Sequence, residues 1–316
     1  MAALDIVDDV DSFPYESNSV STGEAAVKLE DFYTLVAHEG TPIGLVSSAI
    51  TKYFSKETSF TTNNSAKTIT LKPEYNTLQL RNDLFAEISS RWRNLPEFEE
   101  LLDKGWRNEL YTVFNPSHTP YVQIERAFSV LTGVVTYGAH LTGYVPPEKS
   151  ENGKLKLWIP RRSSTKPTYP GMLDNTVAGG LGYPHGIWET VVKEAYEEAG
   201  LDEDFVVSHT KGAGVLSYMY VTSDGRVQPE VEYIYDLAFD NETEVVPSPV
   251  DGEAEYFSLM DVDEVLERVK NKEFKPNCGI VIFDFLIRHG YITPENEPNY
   301  HEIVSRCHRR MPFPIR

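Results

Sequence analysis

Cysteine is scarce in this sequence: Cys278 and Cys307 are the only two among 316 residues, and they form no CxxC pair. So few thiols exclude a disulfide framework and a cysteine-based structural zinc site. Long hydrophobic runs are also missing, since no stretch approaches the roughly 18 uninterrupted apolar residues that a membrane helix needs. The first residues lack the basic start and apolar core of a signal peptide and the arginines of a transit peptide. We therefore expect a soluble protein without a membrane partner, in the cytoplasm or the nucleus.

Positive charge is in deficit as well, and the net charge is −19 at pH 7. No run of Lys and Arg is available to face a phosphate backbone, so a nucleic-acid partner is not expected. Residues 1–31 hold eight acidic side chains against the single Lys28, a net charge of −7. The acids are Asp5, Asp8, Asp9, Asp11, Glu16, Glu24, Glu30 and Asp31. This composition predicts a disordered acidic tail over residues 1–31.

The length suggests about two domains, at roughly 100–200 residues each. Between residues 32 and 122, short β-rich runs alternate with a segment of helical spacing, residues 78–102, which is interrupted near Pro96. This alternation predicts a small α+β accessory domain. The first two runs, 32–36 and 43–46, predict a hairpin. The polar stretch Asn115–Pro120 has the composition of a linker.

Residues 123–316 predict a second domain, with a helical extension at its C-terminal end. Strand signals fall at residues 127–135, 139–145, 154–159, 214–221, 231–239 and 254–258. A helix is expected at Ile187–Ala199, and two more helices follow Asp261. The pattern predicts an α+β protein whose second domain is an α/β/α sandwich with a mixed sheet.

The helix at 187–199 carries three acids, Glu194, Glu197 and Glu198, on one side. Like charges at these spacings cost about 0.2–0.5 kcal/mol per pair, and the negative end of the helix dipole adds to this cost. A hard cation such as Mg²⁺ or Mn²⁺, which prefers oxygen ligands, removes the repulsion. A solvated acidic face is the alternative for an isolated ExxEE string, but the Gly179–Gly180 pair before this helix favours a metal site.

The segment from Gly179 to Leu201 resembles the Nudix box, with His185 in place of the box glutamate and Lys193 in place of the box arginine. The resemblance implies the Nudix fold and implies that Glu194, Glu197, Glu198 and the carbonyl of Gly179 bind a divalent metal. It also implies that water attacks a phosphorus atom of a diphosphate. An acid outside the box often takes part, and Glu253 or Glu255 is the candidate. Glu189 and Lys193, at i and i+4, are expected to replace the ion pair of the box.

Further segments resemble a fungal and plant group similar to the Nudix half of thiamine pyrophosphokinase fusions. They are residues 105–111, 161–174, 274–277 and 283–290. This resemblance implies hydrolysis of thiamine diphosphate or its oxidised analogues, oxothiamine and oxythiamine diphosphate, to the monophosphate and phosphate.

Several side chains are candidates to bind such a substrate. The cations Arg161, Arg162 and Lys166 suit a diphosphate, although a solvated basic loop is the alternative. Tyr233, like Tyr169 and Tyr235, is a candidate to stack on a cationic ring, and core packing is the alternative. His185 is expected to be solvated.

Three other functions are compatible with parts of the pattern. The first is hydrolysis of another nucleoside diphosphate derivative, such as ADP-ribose or NADH. The second is a non-catalytic module that binds a diphosphate metabolite, although such modules usually lose the box acids. The third is isopentenyl-diphosphate isomerase chemistry, which in that family requires a cysteine near the start of the Nudix domain, where neither Cys278 nor Cys307 lies. The sequence does not decide the oligomeric state.

Overall fold

The computed structural model of this chain describes residues 4–15 and 29–316, which contain thirteen strands and nine α-helices. The strands are β1 Phe32–Val36, β2 Pro42–Ser47, β3 Phe60–Asn63, β4 Thr68–Leu71, β5 Leu110–Phe114, β6 Pro120–Glu125, β7 Thr136–Val145, β8 Lys156–Arg162, β9 Val177–Gly180, β10 Gly182–Tyr183, β11 Thr210–Val221, β12 Val227–Ala238 and β13 Ala254–Asp261. The helices are α1 Leu4–Asp8, α2 Ser48–Phe54, α3 Leu78–Arg93, α4 Arg126–Thr132, α5 Ile187–Ala199, α6 Glu203–His209, α7 Val262–Lys270, α8 Pro276–Arg288 and α9 Tyr300–Arg306. No helix within these two ranges is long and apolar enough to cross a membrane.

The N-terminal domain is built on a four-stranded sheet in the order β2-β1-β4-β3, and the predicted hairpin is its β1–β2 pair. Helix α3 begins where the Thr77 side chain accepts a hydrogen bond from the Leu80 N–H, at 3.3 Å. It buries Phe85, Ile88 and Trp92 in the domain core. The helix ends at Arg93, because Pro96 cannot donate to the helical ladder and starts a separate short turn.

The predicted domain boundary at residues 122 and 123 is wrong, because it would cut through β6. The stretch Asn115–Pro120 is the turn that joins β5 to β6 in an antiparallel pair, not a linker. The segment predicted as a strand from residue 127 is helix α4, which places Phe128 and Leu131 in the core of the N-terminal domain, together with Val134. The division between the domains therefore lies just before β7.

The C-terminal domain contains the predicted mixed sheet, in the order β11-β12-β7-β8-β13, with β9 also paired to β7. Strand β12 is parallel to β7, and the other pairs are antiparallel. Successive side chains of β8 point to opposite faces, so Leu157 and Ile159 join the core that contains α8, whereas Trp158 joins the core that contains α5. Helices therefore cover both faces, and the α+β fold class is confirmed.

The prediction of a disordered tail is wrong for residues 4–15, whereas residues 1–3 and 16–28 lie outside the described ranges. Helix α1 buries Ile6 and Val7 in the core that contains α8. Asp11 has a fully buried side chain that pairs with Arg309 at 2.8 Å and with Arg306 at 3.3 Å. The acidic composition of this segment thus reflects in part a buried ion pair with the end of the chain, which composition alone does not reveal.

We predict that Asp11→Asn destabilises the protein by about 3 kcal/mol, because removing this carboxylate leaves the buried Arg309 without a counter-charge. The melting temperature measures this loss. Asp9→Asn is the matched control: its partially exposed pair with Lys272 should contribute less than about 1 kcal/mol. Equal melting temperatures for both variants and the wild type would mean that the N-terminal segment is not anchored by Asp11.

Candidate functional site

Helix α5 has the boundaries that the sequence predicts, and both ends are explained by local contacts. At its start, the Glu189 carboxylate accepts a hydrogen bond from the Gly186 N–H at 2.9 Å. At its end, Gly200 adopts a left-handed conformation with φ of 63°, which glycine tolerates without strain. Val191 and Ala195 pack against the sheet, so the opposite side of the helix is left for polar groups.

The Gly179–Gly180 pair lets two side chains approach strand β9 directly. A Cβ atom at Gly179 would collide with the side chain of Glu194, and one at Gly180 would collide with the hydroxyl of Tyr111. The first contact brings the carboxylate of Glu194 against the strand whose carbonyl is the expected metal ligand. Glycine is therefore needed at both positions for steric reasons.

The acidic side chains of α5 create a concentration of negative charge that is partly shielded from water. Glu198 accepts a hydrogen bond from the Ala178 N–H at 3.0 Å. Burial raises the pKa of Glu198 well above its usual range, and the carboxylates of Asp174, Glu194 and Glu253 raise it further, against the effect of that hydrogen bond. Burial also raises the pKa of Glu194, although the Lys193 ammonium opposes it. Three carboxylates are thus close enough to Glu198 to destabilise its charge.

Lys193 neutralises part of this charge in a way that the sequence did not predict. Its ammonium lies 2.7 Å from Glu197 and 3.3 Å from Glu194. The expected Glu189–Lys193 pair is wrong, because Glu189 caps the helix start instead. Lys193 therefore bridges Glu197 and Glu194, and Glu197 is the more exposed of these two carboxylates.

Of the two candidate acids outside the box, Glu253 lies at the site. It lines a cleft together with Glu198, Arg162 and Asp174, and it pairs with Lys166 at 2.7 Å. Glu255 instead accepts a hydrogen bond from the Ser164 N–H at 3.0 Å. The segment at 163–166 is thus held over the cleft by contacts with the start of β13.

The candidate substrate-binding cations differ in how many hydrogen bonds and ion pairs they already form within the protein. The buried Arg162 binds Asp174 and the carbonyls of Tyr169 and Thr168, at 3.2 and 3.1 Å, so it braces the loop after β8. Its predicted contact with substrate is not supported by this geometry. Arg161 donates to the Gly171 carbonyl at 2.8 Å. Lys166 is the member of the three that pairs with Glu253.

Tyr233 is a packing residue in this structure. It packs on a hydrophobic cluster that includes Phe114, Tyr137 and Phe313. The neighbouring Tyr235 makes a tilted contact with Trp188, at 5.7 Å between ring centroids. The core alternative for these tyrosines therefore describes their positions better than stacking on a substrate. 

The donor set fits a divalent cation in chemistry. Glu194, Glu198, Glu253 and the Gly179 carbonyl all offer oxygen atoms, the ligands that Mg²⁺ and similar hard ions prefer. Within residues 4–15 and 29–316, however, no three acidic, histidine or cysteine side chains already converge on a single metal position. The side chains must rotate to do so, and Glu197 must leave Lys193 to join them.

The pKa of Glu198 gives a stability prediction with a definite sign. A carboxyl whose pKa is raised by folding stabilises the fold below its unfolded pKa, and this stabilisation is lost as the pH rises through the folded pKa. We expect metal-free Glu198→Gln to melt higher than the wild type at about pH 8, by roughly 2–4 °C per kcal/mol relieved. The difference should shrink as the pH falls toward the unfolded pKa of a glutamate, about 4.3, because the wild-type carboxyl is then increasingly protonated.

The exposed Glu267 on α7 provides the control for this measurement. Glu267→Gln should show no gain that grows with pH. If Glu198→Gln melted at a lower temperature than the wild type at every pH tested, the claim that burial and neighbouring carboxylates destabilise the charged Glu198 would be contradicted.

Comparison with known protein families gives two matches along the chain. Residues 16–136 match a domain of unknown function, DUF4743, and residues 149–278 match the NUDIX domain. The end of the first match agrees with the structural division before β7. The Saccharomyces cerevisiae "Uncharacterized protein YJR142W" is 41% identical over 329 residues, which cover 98% of this chain and 92% of the yeast protein.

Two Arabidopsis thaliana proteins, Nudix hydrolase 20 and Nudix hydrolase 24, both chloroplastic by name, are 40% and 41% identical to the chain. The matches cover 65% and 64% of this chain and 53% of each plant protein, so the chain matches about half the length of those relatives. The crystal structure of DR0079 from Deinococcus radiodurans is 18% identical, covers 64% of this chain and 100% of that chain, and has a TM-score of 0.37, too low to add to the assignment. The chain therefore contains an N-terminal DUF4743 domain followed by a NUDIX domain, and it belongs to one family with the yeast protein that it matches over almost its whole length. The NUDIX domain and the plant relatives support a hydrolase that acts on phosphoric anhydrides.

Proposed function

We propose that this hydrolase cleaves the diphosphate of thiamine diphosphate or of its oxidised analogues, oxothiamine and oxythiamine diphosphate, releasing the monophosphate and phosphate, with Mg²⁺ or Mn²⁺ as the metal. The observation that carries the chemistry is a group of carboxylates in which Glu194 packs on Gly179. Beyond the effect of burial, Glu194 and Glu253 both raise the pKa of Glu198, and Glu253 also raises the pKa of Glu194. The substrate is supported by the resemblance of residues 161–174 and 274–277 to the thiamine-linked group. These two segments meet at the Leu173–Phe274 bridge, and Asp174, next to this bridge, lines the cleft.

In the proposed site, Glu194, Glu198 and the Gly179 carbonyl would hold the metal, and Glu197 would join them after leaving Lys193. The metal, when bound, neutralises charge on the diphosphate oxygens and lowers the pKa of water. Glu253 accepts the proton of the attacking water as the general base. Lys166, 2.7 Å from Glu253, then lies where it can bind a phosphate oxygen. Lys193 keeps Glu197 close to the site in the absence of metal.

Two other functions remain as outcomes of the test. One is hydrolysis of a different substrate, such as ADP-ribose or NADH, by the same carboxylates. The other is binding of a diphosphate metabolite without turnover. The retention of all three box acids, with Glu253 beside them, favours catalysis over binding alone.

The substrate is tested by phosphate release from a panel of diphosphates with Mg²⁺ and, separately, with Mn²⁺. The panel contains thiamine diphosphate, oxothiamine diphosphate, oxythiamine diphosphate, ADP-ribose and NADH; a phosphatase is added with the last two, to convert their monophosphate products. We expect the highest kcat/KM with the thiamine compounds. A clear preference for ADP-ribose or NADH would overturn the thiamine assignment but not the hydrolase.

The roles of the carboxylates are tested on whichever substrate is turned over. Glu194→Gln and Glu198→Gln should each lower kcat by about 100-fold or more, which is about 2.7 kcal/mol of transition-state stabilisation. Glu255→Gln, in the neighbouring segment, should keep kcat near the wild-type value. If both box variants retained more than a few percent of the activity, helix α5 would not carry the reaction.

A further inference from the structure

The N-terminal domain forms hydrogen bonds with the loop that leads from the glycine pair into helix α5. Strand β10 of this loop pairs with β5 of the N-terminal domain, in the register Gly182↔Tyr111 and Tyr183↔Leu110. Together with β6 these strands form a three-stranded sheet. The loop between Gly180 and helix α5, called the catalytic loop below, is therefore fixed to the first domain by main-chain contacts, and side chains at the same edge of that domain pack on the end of β9 and on β10.

Tyr111 is the first of these side chains. Its hydroxyl packs on the α-carbon of Gly180, so closely that no Cβ would fit there. The tyrosine is 9% exposed, and among the described residues no group forms a hydrogen bond with its hydroxyl. Burial raises the pKa of Tyr111, and the carboxylates of Glu109, Glu230 and Glu232 add to the increase while Arg126 opposes it. Tyr111 therefore marks the point where the N-terminal domain reaches the acids near β9.

Arg126, the first residue of α4, lies next to Tyr111. Its guanidinium is 5.5 Å from the centroid of the Tyr111 ring and 2.8 Å from the Glu109 carboxylate. Burial alone would lower the pKa of Arg126, but Tyr111, Glu109 and the cleft residue Glu253 raise it. Arg126 thus interacts electrostatically with Glu253, the acid that also raises the pKa of Glu194 and Glu198.

The cations around the cleft differ in their remaining hydrogen-bonding capacity. Arg162 is bound to three groups, Lys193 to two carboxylates and Lys166 to Glu253. Arg126 makes one hydrogen bond among the described residues, to Glu109, and its side chain is 45% exposed. A guanidinium has five N–H donors, which match two oxygens of a phosphate at once. Arg126 therefore has the donors and the exposure to bind a phosphate group.

We propose that the N-terminal DUF4743 domain completes the active site, and that Arg126 binds a phosphate group of the substrate diphosphate beside the carboxylates of the Nudix domain. The proposal rests on the proposed function only in that the substrate is a diphosphate, and it is independent of the organic group attached. It gives the N-terminal domain two functions, since the same edge of the domain pairs with the catalytic loop and supplies a phosphate ligand.

The test uses the full-length protein and imidodiphosphate, an uncleaved diphosphate, titrated in the presence of Mg²⁺ by calorimetry. The variants are Arg126→Gln and Arg126→Lys, and the control is Arg93→Gln, an arginine of the same domain that pairs with Asp103 and lies over Trp106. Titrations at about 10 °C keep a variant of modestly reduced stability folded.

We expect Arg126→Gln to weaken imidodiphosphate binding at least about 10-fold, which corresponds to about 1.4 kcal/mol. With a cleaved substrate, KM should rise by a similar factor and kcat should fall less, because the contact forms before the transition state. Arg126→Lys should lie between, since it keeps the charge but loses the two-pronged geometry. Arg93→Gln should match the wild type.

Wild-type affinity in folded Arg126→Gln would overturn the proposal, as would weaker binding by Arg126→Lys than by Arg126→Gln. These outcomes are separate from the substrate test. A wild-type preference for ADP-ribose would remove the thiamine assignment and leave Arg126 testable, whereas unchanged affinity in Arg126→Gln would remove only the role of Arg126.

Discussion

The close packing of Glu194 on Gly179 is the contact on which the rest of the site depends. The absence of a Cβ lets helix α5, which has three acids on one side, lie directly against the end of strand β9. This removes Glu194 and Glu198 from water and brings them near Glu253, and both effects raise the pKa of the two acids that we propose as metal ligands. The crowded carboxylates lower the stability of the metal-free protein, and the same repulsion favours binding of a cation between them.

The same strand end is also where the two domains meet. The loop after Gly180 forms strand β10, which completes a sheet with β5 and β6 of the first domain. A hydrophobic cluster spans both parts, since Phe114 packs with Tyr137 and with Phe313 near the end of the chain. The buried pair of Asp11 and Arg309 joins the two ends of the chain against the second domain. These contacts join the two domains on several sides, so both domains hold the catalytic loop in place.

Three segments of the chain differ from what their local sequence predicts, and in each one contacts with distant residues or a dual use of the same residue types is the reason. The polar, proline-containing stretch at Asn115 has the composition of a linker, but hairpin turns use the same residues. The aromatic and β-branched residues in α4 favour a strand locally, and packing of Phe128 and Leu131 in the core overrides that preference. The acidic tail was expected to be disordered because composition does not reveal that Asp11 has arginine partners nearly 300 positions away.

The sequence by itself determined helix α5, its boundaries, and the placement of Glu194, Glu197 and Glu198 on one side, because helical periodicity and glycine caps are local properties. It also indicated the glycine pair and the mixed sheet. Only the tertiary structure decided that Glu253 rather than Glu255 lines the cleft. It also decided that Arg162 binds groups of the loop after β8 and that Lys193 pairs with Glu197. It alone brought Tyr111 and Arg126 to the site. These outcomes depend on which groups meet across strands and domains, and such meetings are set by packing and strand register, not by the spacing of residues along the chain.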